Sequence, residues 1–161
     1  MSTDHISTDN LRTDRSAVLP PYLRPGLSKP APDGLDTPFW NGLREERLLL
    51  QRCTACRGWQ WGPEYVCHRC HSFDLTFEET AAEGILYSHQ RVWHPVHPAL
   101  AEQGPYVIVL VELPQADNVR LVGNLLGDPL QPLVIGARLT GVFEHHPDDD
   151  PAHTLLQWVV A

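Results

Sequence analysis

The sequence has a single lysine, Lys29, in 161 residues, and its 12 Lys+Arg stand against 20 Asp+Glu for a formal net charge of −8. A protein whose main partner is nucleic acid needs a concentrated basic surface, because its affinity comes largely from displacing counterions from phosphates. The few arginines here are scattered, with no run of them, so the charge balance speaks against that class. No apolar run approaches the roughly 18 residues a membrane-spanning helix needs, and the N-terminus is polar rather than signal-like. The expectation is a cytoplasmic protein with no membrane partner. Cysteine is confined as well, since all four lie between Cys53 and Cys70.

That stretch holds two Cys-x-x-Cys pairs, Cys53/Cys56 and Cys67/Cys70, separated by ten residues. Two thiolates on each of two tight turns are how a structural Zn²⁺ obtains a tetrahedral four-sulfur shell. The spacer is a little shorter than the commonest zinc-site spacing, yet it suffices for a hairpin that returns the second pair beside the first. The alternative is a pair of disulfides or four inert thiols, but disulfides need an oxidising compartment. His68 and His71 flank the second pair and offer replacement ligands, although four cysteines already complete the shell. The expectation is a zinc ribbon ligated by Cys53, Cys56, Cys67 and Cys70.

Residues 1–36 combine a polar run with Pro20, Pro21, Pro25, Pro30 and Pro32. Such a composition predicts a tail that is disordered alone or extended along a partner. Leu19, Tyr22, Leu23 and Leu27 are either docking points for another subunit or packing on the protein's own surface. A helix is expected over 37–48, with Thr37 as N-cap and Pro38 in the first turn. Leu48 to Arg52 lacks helical periodicity and runs into Cys53, which predicts the first strand of a ribbon covering 49–78. Trp59, Trp61 and Tyr65 are expected to pack around the metal, since so small a module has little core of its own.

Residues 79–161 read as β. Ile85–Trp93 alternates in part, and Tyr106–Glu112 is a β-branched run expected to be buried on both faces. Val119–Leu126, Ala137–Glu144 and Thr154–Val160 complete five strands at short intervals, with no helix long enough for a parallel crossover. Five such strands predict a small antiparallel barrel of the OB-fold type. The fold class is therefore mainly β: an N-terminal helix, a rubredoxin-like zinc ribbon, then a five-stranded OB-fold barrel.

With these parts in this order, the chain resembles the zinc-ribbon plus OB-fold family of acyl-CoA-associated proteins, long catalogued as domain of unknown function 35. The residues that carry the resemblance are Pro38-Phe39-Trp40, the run from Leu48 through Cys53 and Cys56, Cys67 and Cys70, Gly84 to Ser88, Pro105 to Leu113, Val119 to Asn124, and Ile135-Gly136. They span 37–145. The C-terminal strand departs from the family's usual ending, and the tail has no family counterpart. The resemblance implies an accessory subunit of a thiolase-superfamily enzyme that shares the acyl-CoA ligand. In some bacterial steroid and sterol pathways such a partner is a thiolase-like aldolase that cleaves a β-hydroxyacyl-CoA side chain by a retro-aldol step. A zinc-ribbon/OB nucleic-acid-binding module is the competing class.

Thioester chemistry of that kind needs a base and a donor pair for the developing enolate oxygen. A zinc ion closed by four thiolates has no open position for substrate, which removes metal catalysis. His89, His94 and His97 form a dense histidine group, read more readily as a solvated loop than as a catalytic set, and no residue is assigned a catalytic role. For the phosphates of CoA the candidates are Arg91, Arg120 and Arg138 on predicted strands. Asp148-Asp149-Asp150 lacks further spaced oxygen ligands and reads as a solvated turn.

Overall fold

The computed structural model describes residues 29–100 and 104–161. The expectations for the tail up to residue 28, including Leu19, Tyr22, Leu23 and Leu27, lie outside the described residues.

Helix α1 (Thr37–Arg44) begins one residue earlier than the sequence pattern implied, with Asp36 at the N-cap. Its backbone carbonyl accepts the amides of Phe39 and Trp40 at 3.0 and 3.3 Å. The Asp36 carboxylate takes the indole N–H of Trp40 at 2.7 Å instead of a helix amide. Proline keeps the place expected of it in the first turn, where its missing N–H costs nothing. The helix stops at Arg44 rather than running to 48, because Glu46 turns into the left-handed region (φ 57°) and the chain enters a strand two residues later. The buried face of α1 is Phe39 and Leu43.

Strand β1 (Leu48–Cys53) lies at the centre of a three-stranded sheet between β2 (Trp59–Gln60) and β3 (Leu75–Thr80). Both neighbours are antiparallel to it, and the register with β3 runs from Leu48 opposite Thr80 to Cys53 opposite Leu75. Five further strands follow: β4 (Glu83–Val92), β5 (Tyr106–Leu113), β6 (Val119–Leu125), β7 (Arg138–His146) and β8 (His153–Val160). They close into a barrel in the order β4-β5-β6-β8-β7, the five-stranded architecture the spacing predicted. All neighbours are antiparallel except β6 and β8, whose parallel contact at Leu125 and Trp158 closes the ring.

Strand β5 corrects one expectation. Val107, Val109, Val111 and Leu113 are fully buried, whereas Tyr106, Ile108, Leu110 and Glu112 are only half-covered. A barrel strand has one face in the core and one outside, so even an unbroken β-branched run is sorted by the pleat. The inward set joins Leu86, Leu121, Leu125, Leu139 and Trp158 in a core that continues through Phe39, Leu43, Leu48 and Leu50. The helix, the ribbon sheet and the barrel therefore share one apolar interior.

Two glycines permit the close approaches at its edges. A Cβ on Gly84 would stand 2.4 Å from Val111 Cγ1 and 2.7 Å from the Glu112 carbonyl oxygen, and one on Gly123 would stand 2.7 Å from the indole of Trp158. Strand β4 must lie against β5 to form the barrel, and backbone cannot step aside as a flexible side chain can. We expect Gly84→Ala to destabilise the protein by about 1–3 kcal/mol, the range for overpacking, read as a lower midpoint in urea unfolding; an unchanged midpoint would contradict the packing described.

Candidate metal centre

The two cysteine pairs sit on turns with the same hydrogen bonds. In the first, the amide of Arg57 donates to the carbonyl of Cys53 at 2.8 Å and the amide of Cys53 donates to Gly58 at 2.9 Å. In the second, His71 donates to Cys67 at 3.1 Å and Cys67 donates to Ser72 at 2.9 Å. The residue four places after each leading cysteine turns into the left-handed region, with φ 64° at Arg57 and 60° at His71. Each turn thereby brings both of its sulfurs to the same side.

Facing each other, the turns bring four Sγ atoms within 4.8 Å of one another. Cys53 and Cys70 are 3.6 Å apart, as are Cys56 and Cys67, and all four cysteines are free of disulfides. Zn–S bonds of about 2.3 Å in a tetrahedron put sulfurs about 3.8 Å apart, so the set fits the ion. The amides of Cys70 and Arg69 lower the Cys67 thiol to about 6. The Ser72 amide favours a thiolate on Cys70, but desolvation and the three neighbouring sulfurs outweigh it and push Cys70 up to about 12. Four thiolates this close need a cation among them, and a dication supplies it. His68 and His71 are exposed and lie outside the four-sulfur group.

Buried glutamines hold the loop between the turns. Gln51 and Gln60, both 3% exposed, meet through Gln60 Nε2 donating to Gln51 Oε1 at 2.6 Å. Gln51 accepts from the Glu64 amide and donates to the Glu64 carbonyl, at 3.0 and 2.8 Å. Gln60 Oε1 accepts the amide of His68 at 3.0 Å, beside Cys67. Outside, Glu78 bridges Arg52 at 2.6 Å and Arg57 at 3.1 Å. The Arg52 guanidinium, with Arg57 behind it, holds the Glu78 carboxyl below its ordinary value. Asp117, in the turn between β5 and β6, takes the Trp59 amide at 3.0 Å and pairs with Arg69 at 3.1 Å, which ties the ribbon to the barrel.

The aromatics of the spacer do something other than expected. Trp61 packs on Phe39 of α1 at 4.2 Å between ring centroids, and Arg52 lies over Trp59 at 4.8 Å. Both rings join the common core rather than enclosing the metal, while Tyr65 is 72% exposed.

The three arginines do not converge on one point. Arg91 donates to the carbonyls of Pro129 and Gln131 at 2.6 and 3.0 Å, which fastens the loop after β6 to the end of β4. Arg120 pairs with Glu112 at 2.9 Å and covers Tyr87 at 3.6 Å. Arg138 is exposed, opposite Ile85, which is itself opposite Glu112, the partner of Arg120. Arg120 and Arg138 thus share a row three strand spacings long, about 14 Å, while Arg91 stands at the other end of the barrel. His89, His94 and His97 are exposed and share no ligand cluster among the described residues. The group that does form is His146, Asp149 and His153; the order His-His-Pro-Asp-Asp-Asp-Pro-Ala-His, a cross-strand histidine pair spanning an acidic turn, was the available signal.

Residues 40–76 match the family model of the ChsH2 rubredoxin-like zinc ribbon domain, and residues 78–144 that of the ChsH2 C-terminal OB-fold domain. A probable enoyl-CoA hydratase alpha subunit of Thermomonospora curvata is 38% identical over 126 residues, which is 78% of this chain and 37% of that protein. The chain thus spans little more than a third of that relative's length. A chain of an Ltp2-ChsH2(DUF35) aldolase is 33% identical, with a TM-score of 0.67 over 82% of this chain and 98% of its own. A DUF35-family protein of unknown function from Sulfolobus solfataricus shares the fold at 17% identity, with a TM-score of 0.53 over 80% of this chain and 87% of its own.

Three outcomes are expected of the ribbon. Cys56→Ser should lose the metal, measured by elemental analysis, and with it the ordered ribbon in amide exchange, because binding energy and folding energy are one in such sites. Gln60→Leu should keep the metal but release it faster to a chelator, with a stability loss of about 1–3 kcal/mol for the stranded partners of a buried amide. Glu78 has a depressed carboxyl, so its contribution is present above the unfolded carboxylate range and fades as pH falls through the lower folded value. Glu78→Gln should therefore flatten the acid side of the stability profile, and a parallel profile would show that the ion pair contributes nothing.

Proposed function

The chain belongs to the ChsH2-type DUF35 family, a rubredoxin-like zinc ribbon joined to an OB fold, and on that premise we propose that it is the accessory subunit of a thiolase-superfamily enzyme acting on an acyl-CoA. The observation that carries the proposal is the match to the ChsH2(DUF35) chain of an aldolase, which extends over 98% of that chain and includes both ribbon and barrel. In this reading Zn²⁺, held by Cys53, Cys56, Cys67 and Cys70, is structural. Its shell is filled by protein sulfur and leaves no position for substrate. Bond cleavage then belongs to the partner, as a retro-aldol step on a β-hydroxyacyl-CoA side chain of the steroid or sterol type. This chain would keep the partner assembled and share the CoA thioester with it.

For the CoA phosphates, Arg138 is the candidate with an uncommitted guanidinium among the described residues, and Arg120 stands on the same row. Arg91 is engaged by two carbonyls and would act indirectly, by shaping the loop it fastens. The match to the Thermomonospora hydratase alpha subunit spans 37% of that protein and does not extend the proposal to hydration. No helix among the described residues is long and apolar enough to cross a membrane, and the net charge of −8 disfavours nucleic acid as ligand.

The test is co-expression with a thiolase-superfamily protein from the same organism. We expect one hetero-oligomeric peak on gel filtration and acyl-CoA cleavage by the complex that neither protein shows alone. Separate elution with the partner's activity unchanged would end this reading. Within a working complex, Arg138→Ala should raise KM for the CoA thioester about tenfold, the loss of one charge-assisted contact, with assembly intact.

A further inference from the structure

The end of the β7–β8 hairpin carries a second cluster of metal-ligating side chains, remote in sequence from the ribbon and just beyond the matched OB-fold residues 78–144. His146 and His153 are directly opposite each other in the last pair of the ladder, and the turn between them contributes Asp149. Asp149 Oδ2 lies 3.8 Å from His146 Nδ1 and 3.6 Å from His153 Nδ1, and the three ligand atoms all fall within 4.8 Å of one another. In a tetrahedral site with bonds of about 2.0–2.2 Å, ligand atoms stand about 3.3–3.6 Å apart. Both nitrogen–oxygen separations are therefore within a few tenths of an ångström of closing on an ion. The imidazoles are stacked at 4.5 Å with 5° between their planes, so binding would turn the rings until their lone pairs converge.

What distinguishes this group from an ordinary polar turn is the support behind it. His146 Nε2 is 2.8 Å from Glu144 Oε1, a carboxylate that is 1% exposed. Glu144 Oε2 accepts Gln157 Nε2 at 3.0 Å, and Gln157 Oε1 accepts the backbone and side-chain amides of Asn124 at 3.1 and 3.2 Å. A carboxylate can only accept, so the neutral imidazole of His146 carries its proton on Nε2 and presents a bare lone pair at Nδ1. A buried carboxylate behind the non-ligating nitrogen is the usual arrangement for a metal-bound histidine. On the other side, Lys29 Nζ lies 3.7 Å from Asp149 Oδ1 and donates to the Asp150 carbonyl at 3.0 Å. It occupies the far oxygen and leaves Oδ2 facing the imidazoles. His153 Nδ1 is 3.3 Å from the Pro151 carbonyl; on binding, its proton would pass to Nε2 or to solvent.

The geometry points to a second divalent-metal site made by His146 Nδ1, Asp149 Oδ2 and His153 Nδ1. Two imidazoles and one carboxylate suit a borderline first-row dication such as Zn²⁺ or Co²⁺ rather than Mg²⁺ or Ca²⁺. Three protein ligands leave a fourth position for water or for a side chain from another polypeptide. The ion would pin β7 to β8 at the end of their hairpin, and the site is independent of the subunit role proposed above.

The test uses the full chain without a histidine tag, its ribbon already loaded with zinc. The protein is equilibrated with micromolar ZnCl₂, desalted and assayed by elemental analysis; a parallel sample is titrated with CoCl₂ and followed by its visible d–d absorption. We expect the wild type to retain a second equivalent of zinc and to give a saturable cobalt spectrum. H146Q/H153Q should keep the ribbon zinc and lose the second equivalent. Asp149→Asn, a milder change on the turn, should weaken cobalt binding at least tenfold while the melting curve without added metal stays put. A wild type that stops at the ribbon zinc overturns the inference. So does a second equivalent that persists unchanged in Asp149→Asn, since the ion would then be on other histidines.

Discussion

The structure depends on β1, a six-residue strand in which two different requirements meet. Its last residue, Cys53, is one of the four sulfurs, while Leu48 and Leu50 are fully buried in the interior shared with the barrel. The period of two along a strand keeps these duties compatible: alternate residues face the barrel-side core, and the strand's end delivers the thiol. The polar Gln51 sits between them and is buried as well. It is tolerated because its amide is satisfied by Gln60 and Glu64, and an unsatisfied amide there would cost about 1–3 kcal/mol. Metal, loop and core are thus coupled through one short element, so the ribbon is not an appendage on a flexible stalk.

The same economy appears on the barrel side. Strand β8 closes the ring through a single parallel contact with β6, between the fully buried Leu125 and Trp158. Trp158 fills the core against Gly123, and its Nε1 has no hydrogen-bond partner among the described residues, so its contribution there rests on apolar packing. Beside it the chain from Asn124 through Gln157 to Glu144 carries polarity out of the interior to His146 at the hairpin end. A buried carboxylate is costly unless fully bonded. Here both of its oxygens are taken, one by an amide and one by an imidazole.

Seen from outside, the molecule offers a partner several apolar or aromatic side chains on loops and outer strand faces. Trp93, Val96, Leu130, Val134 and Ile135 are all more than half exposed, and Arg91 fastens the loop that carries Leu130 to the strand that precedes Trp93. The three arginines read from sequence as phosphate candidates stand in different settings. One braces a loop, one pairs with a glutamate over a tyrosine, and one is exposed.

The four-cysteine set and the five barrel strands were legible in the sequence because both are written in local spacing. Two residues between cysteines bring two sulfurs together whatever surrounds them, and alternation marks a strand before its neighbours are known. The helix start was legible to within one residue, with the cap misassigned because Asp36 and Thr37 are both capping types and only the backbone distinguishes them. Burial of β5 on both faces was the wrong inference, since composition reports that a strand is apolar but not how many of its faces are covered. Tertiary structure alone decided that Trp61 belongs to α1 rather than to the metal, that Asp117 reaches the ribbon across 58 residues to Trp59, and that His146 rather than His89 finds companions. In each of these cases the partner comes from another element, and a side chain's chemistry depends on what the fold places within about 3–4 Å of it, the reach of a hydrogen bond or ion pair.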